Sequence, residues 1–155
     1  MAFFPTPIVV GTDGTPSSRH ALLAAVELAE ATGSALHIAH VRLTAGTLHG
    51  RPMTPGQRER ADDEATALLE REREVAVEHG AEVAGTHLRY GERIDLAFVE
   101  LQEELGAGLL VVGDPDTGSL LQRLTGQTTS TTGTVRRSGA SVLVVRERAG
   151  MAPND

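Results

Sequence analysis

Among the unbroken apolar stretches of the chain, three are rich in the branched residues that favour strands: Ile8-Val9-Val10, Leu109-Leu110-Val111-Val112 and Val142-Leu143-Val144-Val145. A strand with one face in water alternates apolar and polar residues, whereas a run that is apolar at every position suits a strand covered on both faces, as in a parallel sheet. The first two runs therefore need helices on both sides of them. The intervening sequence has the period to provide them.

Thr15-Pro16 reads as a helix N-cap followed by proline at the first helical position. Leu22, Ala25, Val26 and Ala29 then fall on one stripe, and Gly33 supplies a C-terminal stop. Residues 35–41 form a second strand and complete a βαβ unit, which crosses over right-handed. Residues 42–53 (RLTAGTLHGRPM) show no period and read as a surface loop. Thr54-Pro55-Gly56-Gln57 matches a capping box. The helix behind it is expected to bury Ala61, Ala65, Leu68, Leu69, Val75 and Ala76 and to end at Gly80. Its charged runs, ERADDE and EREREVAVE, read as a solvated face.

Residues 82–88 alternate weakly as a third strand. Ile94, Ala97, Phe98, Leu101 and Leu105 mark an amphipathic helix stopped by Gly106. Residues 109–112 and 141–145 are the fourth and fifth strands, with a short helix expected over 130–137. This alternation implies an α/β fold: a single doubly wound domain with a five-stranded parallel sheet of order 3-2-1-4-5 and helices on both faces. Residues 1–148 make up that domain, and 149–155 read as a flexible tail. The order puts the switch point between strands one and four. The loops after Gly11 and Gly113 thus become two walls of one crevice, where open α/β sheets bind ligands.

Composition narrows the chemistry. At 155 residues the chain is long enough to bury a core, and it contains no cysteine, which excludes disulfides and thiolate chemistry. With 14 Lys+Arg against 21 Asp+Glu, a net charge of -7, and scattered basic residues, no phosphate-backbone footprint is visible, and nucleic acid is not an expected partner. No stretch reads as a signal peptide or reaches the roughly 20 apolar residues of a membrane helix. A soluble, cytoplasmic protein with no membrane partner is the expectation. There is no G-x-S-x-G elbow, P-loop or G-x-G-x-x-G pattern. The six histidines have no ligand spacing, and His37 and His40 point to opposite faces of one strand, so no metal site is expected.

The run IVVGTDGTPSSRHALLAAVELAEATGSALHIAHV, with GLLVVG and SVLVVR near the other end, resembles the universal stress protein family over nearly the whole chain. In that family's nucleotide-binding branch the segment between the last two strands carries a pattern of Gly, two residues, Gly, nine residues, Gly, then Ser or Thr. Counted from Gly113, Asp116 stands at the second glycine, Gly126 at the third, and Gln127 at the hydroxyl position. Counted back from SVLVV, Thr128-Thr129 take the Gly-Ser place and Gly118 becomes the second glycine. Both registers remain open in the sequence.

The resemblance implies an adenine-nucleotide pocket lined by Thr12 and Asp13, with the backbone around Val41 at the adenine and Gly113 at the ribose. Asp-Gly pairs also turn loops into helices, and Asp13 suits that role equally. Asp116 would set a negative charge near the phosphates, which weakens ATP binding unless a divalent ion such as Mg2+ bridges them. Gln127 can still donate through its amide. The hydroxyl-rich run from Gln127 to Thr134 reads either as a solvent-facing turn or as an anion site. The expected function is a stress-response binding and signalling module with weakened ATP binding and at most slow ATP hydrolysis. The alternative is a nucleotide-free homodimeric interaction protein that pairs through the strand Ser141–Val145, an apolar edge in the expected order.

Overall fold

The computed structural model describes residues 2–44, 47–48, 51–113 and 139–146. The elements run β1 (Ile8–Gly11), α1 (Pro16–Thr32), β2 (Leu36–Leu43), β3 (Thr47–Leu48), β4 (Arg51–Pro52), α2 (Pro55–Glu78), β5 (Val83–Gly91), α3 (Ile94–Leu105), β6 (Leu109–Gly113) and β7 (Ser141–Val145). The helix expected over 130–137 and the tail 149–155 lie outside the described residues.

Five strands make one sheet of order β5-β2-β1-β6-β7, and every neighbouring pair is parallel. Counting only these strands, the order is the expected 3-2-1-4-5. Period-2 alternation divides the sheet's side chains between two cores. Ile8, Val10, Leu36, Ile38, Leu109 and Val111 face α1 and α2, where they meet Leu22, Ala25, Val26 and Leu69. Val9, Ala39, Val41 and Leu110 face the other way and pack on Ile94, Ala97, Phe98 and Leu101 of α3. Strands flanked by both layers have to be apolar throughout, and β1 and β6 are buried at every position.

Local chemistry sets the helix ends. Thr15 caps α1 by accepting from the Ser18 amide, Pro16 follows, and Gly33 closes the helix at φ 67. Thr54 and Gln57 form the reciprocal capping box at α2. Gly106 ends α3 at φ 62.

Three local expectations need correction. The stretch 42–53 is not wholly a loop: β2 continues to Leu43, and β3 and β4 form a two-stranded antiparallel pair. Two-residue strands are too short for a period to show. β5 runs on to Gly91 because it pairs with β2 residue by residue as far as Leu43↔Gly91, and ladder hydrogen bonds do not require apolar side chains. On α2, Ala65, Leu68, Leu69 and Ala76 are buried as expected, but Ala61 and Val75 are only half-buried, and Glu72 is buried among them. The supposedly solvated run therefore sends one carboxylate inward. Arg19 of α1 meets it with two hydrogen bonds, Nε at 3.1 Å and Nη2 at 2.8 Å. That fork satisfies both carboxylate oxygens.

Candidate functional site

Parallel pairing of β1 with β6, from Ile8↔Leu109 to Val10↔Val111, brings the carboxyl ends of the two strands side by side. Beyond β1 the chain turns through Thr12, Asp13 and Gly14 into α1. Thr12 is buried, and its amide extends the sheet by donating to the Ala39 carbonyl at 2.9 Å. Its hydroxyl lies 3.3 Å from that of Ser18. Asp13 accepts from the Thr15 amide at 3.0 Å and the Thr15 hydroxyl at 2.5 Å through one oxygen, Oδ1. This is an Asx turn, so Asp13 does shape the entry to α1. Gly14 follows at φ 81, a conformation that suits glycine.

Gly113 closes the second wall. A Cβ placed there would lie 2.5 Å from the Ser17 carbonyl oxygen and 3.0 Å from the Ser18 nitrogen, so the end of β6 rests directly on the backbone of α1's first turn. Only glycine allows that approach. Val41 lies on β2, paired with Arg89 of β5, with its side chain in the α3 core. Thr12, Asp13 and Gly113 thus come together at one end of the sheet, with Val41 toward the same end of β2. Asp116, Gly118, Gly126, Gln127 and Thr128 lie outside the described residues.

Two features of this end gave no signal in the sequence. His40, next to Ala39 on β2, donates from Nδ1 to the Thr12 carbonyl at 2.7 Å. A carbonyl can only accept, which fixes that ring's tautomer and ties β2 to the Thr12 turn. Farther out, Asp62 of α2 accepts from Arg42 and from the Tyr90 hydroxyl, the latter at 3.0 Å, joining the ends of β2 and β5. Burial, then the Asp62 carboxylate, push the Tyr90 phenol above its ordinary value.

A cavity of about 700 Å³ sits at the other end of the sheet, lined by the last turn of α1, the links that lead from α1 to β2 and from α2 to β5, and the start of β5. Its polar lining includes Glu30 and Glu82, and it faces the amino ends of the strands. Ligands of open parallel sheets bind at the carboxyl ends, so the Thr12–Gly113 crevice is the better candidate. Among the described residues no group of three or more His, Asp or Glu is placed to hold a metal ion. No helix among them is long and apolar enough to cross a membrane.

The model of the universal stress protein family matches residues 6–146. The chain belongs to the universal stress protein family. Solved structures agree in fold. A universal stress protein in complex with cAMP is 28% identical at a TM-score of 0.66, covering 90% of this chain and 96% of that one. A protein from Mycobacterium tuberculosis H37Rv is 27% identical at a TM-score of 0.57, covering 92% and 96%. The universal stress protein from Archaeoglobus fulgidus in complex with dAMP is 21% identical at a TM-score of 0.60, covering 90% and 97%. No curated protein matches the chain. In this universal stress protein, the family's opening strand, loop and first helix are the elements that build the Thr12–Asp13 wall.

Proposed function

We propose that this universal stress protein binds an adenine nucleotide in the crevice between the Thr12-Asp13 turn and Gly113. The observation that carries the reading is the convergence of those two walls at the carboxyl ends of adjacent parallel strands. The complexes of similar proteins with cAMP and dAMP support an adenine nucleotide as the ligand class.

The donor set fits one end of such a ligand better than the other. An ionised Asp13 carboxylate accepts hydrogen bonds only, so it suits ribose hydroxyls or the adenine amino group and repels phosphate. Its Oδ1 is held by Thr15, which leaves Oδ2 for a ligand donor. The sequence just beyond Gly113 carries Asp116, a further negative charge that disfavours phosphate. ATP binds weakly in this reading, with Mg2+ needed to bridge the phosphates to carboxylates, and ligands carrying one phosphate suffer less repulsion. Titration calorimetry with ATP and Mg2+, ATP in EDTA, and AMP tests this. Heat with AMP, and with ATP only when Mg2+ is present, is the expected pattern. No heat with any of them at high protein concentration refutes it.

A second reading is a nucleotide-free homodimer, and two observations favour it. Gly113 and Asp13 each have a structural task, helix packing and an Asx turn, that needs no ligand. The edge strand β7 leaves Val142 and Leu143 each 36% exposed, the kind of edge that pairs with a second copy. Light scattering on Val144→Lys tests the interface, and the calorimetry above tests the ligand: a shift from dimer to monomer supports pairing through β7, and an unchanged mass rejects it.

A further inference from the structure

The half-buried histidines His37 and His87 come together on the α3 side of the sheet, although 50 residues separate them. His37 is the second residue of β2, beside Val9, and His87 lies on β5 beside Ala39, one step diagonally across the strand pair. His37 Nδ1 and His87 Nε2 are 3.0 Å apart, with ring centroids at 5.1 Å and planes tilted by 39°. Gly85 stands opposite His37 and makes the room. A Cβ there would lie 3.0 Å from His87 Nε2 and 3.4 Å from His37 Nδ1.

We propose that His37 and His87 form a two-imidazole site for a borderline divalent transition-metal cation such as Zn2+, with water completing the coordination. Two Zn–N bonds of 2.0–2.1 Å at a tetrahedral angle put the nitrogens about 3.3 Å apart, so the rings need to open by about 0.3 Å and turn by roughly 35° until both lone pairs meet at the metal. The facing nitrogens now share one proton. Moving it to the other nitrogen of the same ring frees both lone pairs without net proton release. Burial pushes both imidazoles below their ordinary range, and at His87 the charges of His37 and Arg89 add to this while Glu104 opposes it. Neutral imidazole is the form that binds metals.

The other charges facing the pair largely cancel. Arg89 and Glu104 of α3 are ion-paired at 3.0 Å, and the net charge of the chain, -7, favours cations at long range. Nitrogen donors select Zn2+, Cu2+ or Ni2+ over the oxygen-seeking Mg2+ and Ca2+. The site therefore does not compete for a nucleotide's magnesium, and it stands whether or not the crevice binds a nucleotide.

Calorimetric titration of the EDTA-treated full chain with ZnCl2 at pH 7.5 tests the proposal. One equivalent is expected, with affinity falling more than about tenfold in His37→Ala and in His87→Ala. His79→Ala, at the exposed end of α2, leaves it unchanged. Histidine ring NMR of the unaltered protein reads the site directly, independently of how the variants fold: the His37 and His87 signals move with Zn2+ and stay with Mg2+. No uptake at one equivalent, uptake that survives both substitutions, or shifts confined to other histidines would each overturn it.

Discussion

Replacing Gly113 with alanine forces a methyl group against the start of α1. The added carbon would sit 2.5 Å from the Ser17 carbonyl oxygen and 2.6 Å from the Ser17 carbonyl carbon. Ordinary contact needs about 3.5 Å, so β6 and α1 must part by about 1 Å at this point. Both colliding partners are backbone, and no rotamer change relieves them. Overpacking of this kind costs about 1–3 kcal/mol. At about 2–4 °C per kcal/mol for a domain of this size, the melting temperature falls by roughly 2–12 °C. Gly56 provides the control. Nothing lies within 4 Å of a Cβ there, and its φ is not positive, so Gly56→Ala leaves stability unchanged or raises it by up to about 1 kcal/mol. Thermal unfolding followed by circular dichroism reads both variants. A Gly113→Ala protein that melts with the parent refutes close packing of β6 on α1. If that variant also loses nucleotide binding, Gly113 is there for the ligand and not for the helix.

Arg19→Met strands the Glu72 carboxylate, which is 3% exposed, and costs about 2–3 kcal/mol by chemical denaturation, less than a fully buried pair because Arg19 itself is 40% exposed. Adding Glu72→Met recovers most of that loss; no recovery would mean the pair is not the cause. Thr54→Ala removes the side-chain half of the α2 capping box, the hydroxyl that accepts from the Gln57 amide, leaves the Thr54 amide donating to Gln57, and costs about 1 kcal/mol; an unchanged melting point would show that the hydroxyl contributes nothing. In EDTA, stability falls on acidification below about pH 6.5 because unfolded histidines take up protons there while His37 and His87, with lowered values in the folded protein, resist. The contribution is complete above that pH and shrinks as pH drops toward the folded values. His37→Asn with His87→Asn flattens the profile below about pH 6.5, and a profile unchanged by both substitutions refutes the assignment.

What the chain announces by itself is whatever short-range chemistry decides. The unbroken run Ile8-Val9-Val10 must be covered on both faces, and Thr15-Pro16, Thr54-Gln57, Gly33 and Gly106 each complete a cap within a few residues. Those signals suffice for element order, and the strand order expected from it is the doubly wound arrangement that such alternation favours. The candidate crevice was legible for the same reason, since it lies where that order reverses. Tertiary structure decided everything that depends on partners far apart in sequence. Glu72 looks like one more charge on a solvated face until α1 delivers Arg19 to it. Gly113 reads as the glycine that ends a buried strand beside a ligand crevice until the first turn of α1 lies against it. His37 and His87 have no spacing to recognise, because the register of β2 on β5, and not their separation along the chain, puts their nitrogens 3.0 Å apart. A linear pattern records periods and caps; contacts between elements exist only once the sheet has set which residues stand opposite one another.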